Sequence, residues 1–376
     1  MPEKTDLELY IGPAVPLPVS KDVLDALQSV TVTTAGSGPS VFELVFDIST
    51  RSPLHTLFLL SGGVSVPIVR VVIAVVIGGR RQILIDGVMT HHETGRGARP
   101  GTASLTIIGE DLSRILDLID FSGIPYPAMP DFARVALILA KYAFLGIIPK
   151  VIPSILLDVP IPIESIPTHK GKDLGYIQAL ADRVGYVFYM EPGPEVGTSF
   201  GYWGPEIKVG REQPALSLDF DARSTVEDLS FSYDASKAVL PIVYIHNQQT
   251  KVPIPIPVPD ITPLSPPLGA IPALPLRIEP ITETAKYNPL QGVIVGMAKA
   301  AQASGKVVTG RGTLDVRSCG RLLEPRKLVG VRGAGKAFDG LYYVDSVKSI
   351  IARGEFKQAF ELSRNGLLST ADRIAA

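Results

Sequence analysis

Residues 330–336 carry the spacing of a phosphate-binding loop. They read Gly-Val-Arg-Gly-Ala-Gly-Lys, which matches the opening of the pattern G-x-x-x-x-G-K-[ST]. The last position needs a hydroxyl to reach magnesium, but Ala337 stands there. Such a loop must also open a helix, whose first amides hold the phosphate, whereas the residues from Leu341 onward have a strand pattern. The sequence therefore favours a glycine-rich turn between two strands over a nucleotide site.

Three consecutive residues, His91, His92 and Glu93, contain the donor atoms of a metal site. Successive side chains of a strand point to opposite faces, so two adjacent histidines rarely bind one ion. The other histidines are scattered along the chain, at positions 55, 169 and 246. We expect an exposed histidine pair at the edge of a loop and no metal cofactor.

Four carboxylates, Glu110, Asp111, Asp117 and Asp120, lie close together in the sequence. Glycosidases use two carboxylates a few ångströms apart, which makes this cluster a candidate for catalysis. However, Glu110 and Asp111 precede a predicted helix over residues 112–119, where negative charge is favourable. Asp117 and Asp120 fall on a face of that helix that we expect to be solvated. The cluster is therefore better explained by the capping and solvation of a helix than by catalysis.

The single cysteine, Cys319, lies between Arg317 and Arg321, whose charges favour a thiolate. No histidine is near it in the sequence, so a partly buried cysteine of a β-barrel is the preferred interpretation. We predict no catalytic residue, no cofactor-binding residue and no metal ligand in this chain. The sequence predicts a protein that is not an enzyme.

Composition narrows the classes of function further. The chain has 376 residues, with 36 Lys and Arg against 37 Asp and Glu, a net charge of −1. This balance argues against nucleic-acid specificity, because such proteins neutralise phosphates with basic residues. Charged residues make up 19% of the chain, below the ~25% of ordinary soluble domains. A folded, turn-rich protein that buries surface against partners fits these numbers.

The sequence predicts neither a targeting signal nor stable membrane insertion. Residues 1–8 lack the basic and apolar regions of a signal peptide. The most apolar stretch, residues 64–77, contains Pro67 and Arg70 and is shorter than the ~20 residues that span a bilayer. We expect synthesis, folding and assembly in the cytoplasm.

Strand patterns dominate both ends of the chain, and two helices over residues 131–145 and 173–184 mark its middle. The predicted fold class is α+β, mainly β, with two similar small antiparallel β-barrels, a mixed α/β middle domain and a proline-rich extended arm. The predicted units are residues 1–120, a first barrel with a closing helix; 121–215, the α/β domain; 216–250 with 300–368, the second barrel; and 251–299, the arm.

The arm has an unusual composition, with ten prolines in residues 251–280. Proline cannot donate a hydrogen bond to a strand ladder, so a central strand is excluded there. Two interpretations remain open: an extended segment that lies on a neighbouring surface, and a stiff surface loop.

A faint internal similarity suggests that the two barrels are related. Ile-Asp-Gly-Val-Met-Thr at 85–90 compares with Val-Asp-Ser-Val-Lys-Ser at 344–349, which aligns Asp86 with Asp345. In both places a loop and an amphipathic strand follow.

Five segments together resemble the baseplate hub family of contractile tails. They are residues 327–335, 338–347, 353–366, 84–91 with 102–113, and 173–189. Members of this family include the phage late control gene D proteins and the hub half of valine-glycine repeat protein G spikes. The resemblance spans most of residues 84–367, and the order of the segments carries it.

Membership of this family implies a homotrimer in which two barrels per chain make a ring of six similar units. Such a ring adapts the hexameric inner tube of a phage tail, tailocin or extracellular injection system to a trimeric spike. The implied partners are inner-tube or tube-initiator proteins, other baseplate components and a spike. We expect the spike to be a separate protein, because the chain ends ten residues after Gly366.

Other functions stay open at this point, namely a tail-associated cell-wall hydrolase and a carbohydrate-binding β-protein. Under the hub hypothesis, the candidate contact elements are residues 251–280 and the predicted loop 93–100.

Overall fold

The computed structural model describes residues 5–49, 68–97, 102–154, 166–218, 224–246, 253–257, 265–275, 277–281 and 306–370, together with Ser52, Leu54 and Gly296. Three predicted features lie partly outside these ranges. They are the apolar stretch at its residues 64–67, the predicted loop at its residues 98–100, and much of the predicted arm.

The described residues are rich in β-strands. The strands are β1 (Thr5–Gly12), β2 (Leu17–Pro18), β3 (Leu27–Ala35), β4 (Val41–Ile48), β5 (Arg70–Ile77), β6 (Arg80–Arg96), β7 (Ala103–Asp111), β8 (Ile147–Val151), β9 (Val187–Pro192), β10 (Ser199–Gly204), β11 (Gln213–Ser217), β12 (Asp228–Tyr233), β13 (Val239–His246), β14 (Pro253–Pro257), β15 (Gly269–Pro272), β16 (Arg277–Ile281), β17 (Val308–Asp315), β18 (Leu328–Arg332), β19 (Gly340–Ala352), β20 (Glu355–Arg364) and β21 (Gly366–Ser369).

Helices are fewer and shorter. The α-helices are α1 (Lys21–Ala26), α2 (Asp131–Ala140), α3 (Asp173–Val184) and α4 (Val316–Cys319), and the 3₁₀ helices are Leu112–Asp117, Ala143–Leu145 and Ala235–Lys237. No described helix has the length and apolar character needed to cross a membrane. The mainly β, α+β class predicted from the sequence is confirmed.

Alternation of apolar and polar residues explains the strands. In β4, Phe42, Leu44 and Phe46 are buried, whereas Val41 before them and Glu43 among them are exposed. A period of two places alternate side chains on one face of a sheet, so this segment buries one face against a core.

Most of the strands belong to one long sheet. Its order is β12-β17-β20-β19-β3-β4-β7-β6-β5-β1-β2, with β18 beside β19 and β11 beside β18. Only the pair β11–β18 is parallel; the other pairs of this sheet are antiparallel.

The same five-strand pattern occurs twice along the chain. We call β3 to β7 the first module; its sheet order is β3-β4-β7-β6-β5. We call β12 and β17 to β20 the second module; its order is β12-β17-β20-β19-β18. In both, the first strand in chain order pairs with the second, the second with the fifth, the fifth with the fourth and the fourth with the third. The two ends of the chain therefore share one topology, as predicted.

A bulge in the fourth strand of each module aligns the halves residue by residue. The register of β6 on β7 shifts at Thr90, and the register of β19 on β20 shifts at Asp345. The sequence comparison, which aligned Asp86 with Asp345, is therefore wrong by four residues. Short β-branched patterns match one another at several offsets, and only the hydrogen-bond ladder selects one.

The two modules share one continuous sheet and have two core clusters, of which the second also contains Val75 of β5 from the first module. The first core includes Leu44, Phe46 and Ile107, and the second includes Val329, Tyr342 and Leu362. The strands β3 and β19 pair across the boundary and join the modules. Closure of each module into its own barrel stays a prediction.

The middle of the chain forms an α/β layer, as predicted. Its sheet has the order β8-β10-β9, with β10 parallel to β8 and antiparallel to β9. Helix α3 has the predicted bounds and ends at Gly185, whose φ of 68° is the left-handed conformation that stops a helix. Helix α2 ends at Ala140, earlier than predicted, and a 3₁₀ turn follows it. Trp203, fully buried, fills the core between these helices and the sheet.

The described parts of the proline-rich segment are extended. Strand β14 pairs antiparallel with β13 and forms the edge of the sheet β14-β13-β16. Strand β15 pairs with β21 near the end of the described chain. The edge position agrees with the expectation that prolines exclude a central strand.

Two local predictions need correction. Residues 93–96 were predicted to begin a loop, but they belong to β6, which pairs with β7 as far as Arg96. The helix predicted over residues 112–119 is a 3₁₀ helix that ends at Asp117.

Two substitutions in β4 test the burial pattern. Leu44→Ala removes a fully buried side chain and should lower the free energy of unfolding by about 2–5 kcal/mol. Val41→Ala, in the same strand but 40% exposed, should cost much less. Urea denaturation followed by far-ultraviolet circular dichroism measures both, and equal losses would contradict the assignment of the two faces.

Candidate functional site

The residues that resemble a phosphate-binding loop form a turn between β18 and β19. Gly333 and Gly335 have φ angles of 83° and 89°, which glycine adopts without strain. The carboxylate of Asp339 accepts a hydrogen bond from the amide of Ala334, and strand β19 begins at the next residue. No helix follows the turn, so its amides do not form a phosphate cradle. The predicted glycine-rich turn is confirmed.

The adjacent histidines occupy successive positions of β6. His91 is exposed and His92 is half-buried, in a strand and not in the predicted loop. Within the part of the chain that the structure describes, no group of three His, Cys, Asp or Glu side chains could hold a metal ion.

The four clustered carboxylates do separate structural tasks. Asp111 caps the 3₁₀ helix by accepting from the amide of Ser113 at 3.0 Å, and it also accepts from the amide of Ser40 at 2.5 Å. Burial raises the pKa of Asp111, and these hydrogen bonds oppose the rise. Glu110 lies in β7 and does not open the helix.

The two remaining carboxylates of the cluster lie at the surface. Asp117 pairs with Arg114 at 3.2 Å and with Lys172 at 3.3 Å, and Asp120 accepts from the amide of Ser122 at 2.7 Å. The hydrogen bonds from Ser122 lower the pKa of Asp120. Both carboxylates are held by neighbouring groups at the surface.

One catalytic pattern escaped the sequence-based prediction. Residues 197–201 read Gly-Thr-Ser-Phe-Gly, which matches the nucleophile pattern G-x-S-x-G. That chemistry needs the serine on a sharp turn between a strand and a helix, but Ser199 is a buried residue that begins β10. Its hydroxyl donates to the carboxylate of Asp86 at 3.1 Å and not to a histidine. Residues 197–201 therefore match the nucleophile pattern in sequence only, and Ser199 has a structural role.

The bond from Ser199 belongs to a buried cluster that joins the first module to the α/β layer. The guanidinium of Arg70 donates to both carboxylate oxygens of Asp86, at 2.7 and 2.6 Å, and to the carbonyl of Ala14 at 2.8 Å. The side chains of Arg70 and Asp86 are 2% and 1% exposed. Burial raises the pKa of Asp86, against the bonds from Arg70 and Ser199. We call these three side chains the Arg70 cluster.

A half-buried arginine joins all three parts of the molecule. Arg326, just before β18, donates to the carbonyls of Ala35 and Gly36 at the end of β3, at 2.5 and 3.0 Å. Its guanidinium also lies 3.8 Å from the ring centre of Tyr189 in β9. The first module, the second module and the α/β layer therefore meet at one side chain.

The α/β layer contains its own closed polar network. Asp173 is fully buried and accepts from the hydroxyl of Tyr142 at 2.7 Å and from Lys141 at 2.9 Å. The ring of His169 lies between Tyr126, 2.9 Å from Nδ1, and Asp173, 3.4 Å from Nε2. Burial lowers the pKa of His169 and raises the pKa of Tyr126 to about 12. A substrate has no access to His169, whose side chain is 0% exposed.

A cleft of about 560 Å³ lies where the turn after β3 meets α3 and β19. Charges of both signs line it, including Glu206, Lys208, Lys306 and Asp345. Burial raises the pKa of Asp345, with Lys306 at 3.7 Å acting in the opposite direction. These mixed charges show no single preference for a ligand.

Several large apolar side chains are exposed around the α/β layer and on the arm. Phe144 is 71% exposed, Val15 70%, and Leu274 of the arm 81%. Single exposed apolar side chains are common on protein surfaces and do not by themselves define a contact site.

No model of a protein family matches this sequence. No curated protein matches it significantly either. The similarities are found at the level of structure.

The tail protein from Neisseria meningitidis MC58 has a TM-score of 0.62 and 14% identity, over 97% of this chain and 98% of that one. The 43 kDa tail protein of prophage MuSo2 from Shewanella oneidensis has a TM-score of 0.63 and 12% identity, over 96% and 99%. A chain of the Francisella PdpA–VgrG complex has a TM-score of 0.61 and 11% identity, over 99% and 55%.

These comparisons establish the fold. The chain has the architecture of phage tail proteins over nearly its whole length, and the resemblance to baseplate hub proteins is confirmed at the level of fold.

The Arg70 cluster predicts a large effect of burial on one ion pair. Asp86→Asn leaves the guanidinium of Arg70 without its buried counter-charge and should cost about 3–5 kcal/mol of unfolding free energy. Glu8→Gln removes the same two-pronged bond from Arg81, at 2.7 and 3.2 Å, but on the surface, where it should have little effect. Urea denaturation measures both variants, and a small loss for Asp86→Asn would show that the cluster does not hold the two parts together.

The buried histidine predicts a dependence on pH. Because burial lowers the pKa of His169, the unfolded chain takes up a proton at this residue before the folded protein does. Stability should therefore fall as pH drops below about 6.5, the ordinary histidine value. His169→Gln should remove part of this slope when unfolding free energies are measured from pH 7.5 to 5.5. Parallel curves for the two proteins would refute the assignment.

Proposed function

We propose that this protein is a structural baseplate hub of a contractile injection apparatus, such as a phage tail, tailocin or extracellular injection system. In this proposal three copies form a ring that connects a hexameric inner tube to a trimeric spike. The repeated five-strand module, found twice in a chain with a tail-protein fold, carries the proposal.

Symmetry explains why two modules matter. A trimeric spike presents three equivalent surfaces, whereas a hexameric tube presents six. Three chains with two similar modules each supply six similar β surfaces while keeping threefold symmetry. A chain with one such module would match only one of the two partners.

The interior of the molecule supports a structural task. The polar groups around Arg70, Arg326 and Asp173 connect elements of the fold, and Arg70 and Asp173 themselves are buried. We therefore infer a role without catalysis, with tube or tube-initiator proteins, a separate spike and other baseplate components as partners. The protein would assemble in the cytoplasm and become part of the particle.

The units predicted from the sequence belong to the same proposal. Residues 1–120 and residues 216–250 with 300–368 would form the ring, residues 121–215 would support it, and the arm of 251–299 would contact a neighbour. The exposed Ile271, Leu274 and Ile278 support a contact by the described part of the arm.

The oligomeric state tests this proposal directly. Light scattering after size exclusion should give three times the 40.2 kDa mass of one chain. The purified protein should also bind tube and spike proteins encoded near it, and it should not release fragments from peptidoglycan. A monomer at all concentrations would contradict the hub, and peptidoglycan cleavage that survives repurification would favour a tail-associated hydrolase.

A further inference from the structure

The two modules differ along the outer edge of their fourth strand. In the second module two strands cover this edge of β19 in succession: β18 pairs with residues 340–343 and β3 with residues 346–352. In the first module β5 covers the same edge of β6 only as far as Val88. Residues 91–96 of β6 pair with β7 on one edge, and no described strand lies on the other. Among the described residues, therefore, no strand fills on β6 the place that β3 fills on β19.

The strand at one end of the long sheet, β12, has the same kind of sequence as β3. Strand β12 is the second module's equivalent of β3, and it has β17 on one edge and no described strand on the other. Leu229 and Phe231 of β12 pack on the second core, as Val30 and Val32 of β3 pack on the first. Ser230 between them and Ser232 after them are exposed. The two strands agree in pattern, and within the described residues only β3 has a second neighbouring strand.

We propose that β12 of one copy pairs antiparallel with residues 91–96 of β6 in the next copy, in the register that β3 adopts on β19. Within the chain, Thr33 lies opposite Lys348. Through the strand ladders and the two aligned bulges, Ser232 of β12 is equivalent to Thr33 of β3, and Glu93 of β6 is equivalent to Lys348 of β19. Ser232 and Glu93 face each other across the contact between copies. This proposal rests on the proposed function only in requiring a closed ring of identical chains.

The neighbouring pairs in this register are compatible with one another. Asp234 falls opposite His91, as Ala35 falls opposite Ser346 within the chain. A carboxylate therefore meets an imidazole ring, whose N–H can donate a hydrogen bond. Gly95 lies two residues beyond Glu93 and leaves room for the backbone of the incoming strand.

The exposure of β6 also fits a missing neighbour. Thr94 of β6 is exposed, whereas its equivalent Ser349, in the covered half of β19, is buried. Unpaired strand edges present free amides and carbonyls that readily accept another strand. Because the two edges are different surfaces, their contact is head-to-tail, and such contacts close into rings when the rotation per copy permits.

Disulfide formation tests the register. In a Cys319→Ser background, which removes the only native cysteine, Ser232→Cys and Glu93→Cys are placed on separate co-expressed chains. Directly opposite residues have Cβ atoms about 5 Å apart, close enough for a disulfide with small adjustment. We expect covalent dimers from the co-expressed pair and none from either variant alone. With both cysteines on one chain, oxidation should yield closed covalent rings.

Two controls calibrate the yield. Thr33→Cys with Lys348→Cys places a cysteine pair at the equivalent position inside the chain, where oxidation should give a cross-linked monomer. Ser230→Cys with Glu93→Cys keeps the same face but shifts the pair by two residues, to about 7–8 Å. This shifted pair should cross-link far less, and equal yields would contradict the register.

Charge provides a second test that needs no cysteine. Ser232→Glu places two carboxylates opposite each other and should raise the dissociation constant of the ring about two- to fivefold. Ser232→Lys should not raise it, and adding Glu93→Lys to Ser232→Glu should restore assembly. Analytical ultracentrifugation measures all three.

The outcomes separate this proposal from the hub itself. A trimeric protein whose cysteine pair does not cross-link would overturn the strand pairing and leave the hub intact. Cross-linked rings of another copy number would support the pairing and contradict the trimer. A protein that stays monomeric and does not cross-link would overturn both.

Discussion

Strand β3 pairs with β19 over seven residue positions, and this ladder makes one continuous sheet of the two modules. Backbone amides and carbonyls need partners wherever water is excluded, so two sheets joined edge to edge avoid open edges at their boundary. The side chains then only have to fill each core. The arrangement of the two modules, and the surfaces that they leave free, follow from this one contact.

Buried charges fix the remaining parts around the sheet. Removing an arginine and a carboxylate from water is costly, and their attraction offsets that cost only when geometry and further hydrogen bonds are good. The pair of Arg70 and Asp86 meets this condition through Ser199 and the carbonyl of Ala14. Arg326 is half-buried and is held by two carbonyls and the face of Tyr189.

The sequence predicts elements whose signals are local. Helix α3 has a clear stop at Gly185 and has the bounds predicted for it. Strand β4 alternates between apolar and polar residues without interruption. The end of β6 was missed because Glu93, Gly95 and Arg96 look like loop residues, and only pairing with β7 makes them a strand. Contacts between distant segments leave no local signal: the hydroxyl of Ser199 meets Asp86 across 113 positions, and nothing near either residue indicates it. The alignment of the modules depends on bulges that the residues alone do not mark.

The joint between the modules also determines how the molecule bears load. If β3 and β19 are pulled apart sideways, their hydrogen bonds break one after another, at low force. If they are pulled in opposite directions along their length, all the bonds in the ladder are strained together and must fail at once. A joint made of backbone bonds in this orientation is stiff along one axis and weak across it. The direction of these two strands therefore sets the axis along which the molecule can transmit a thrust.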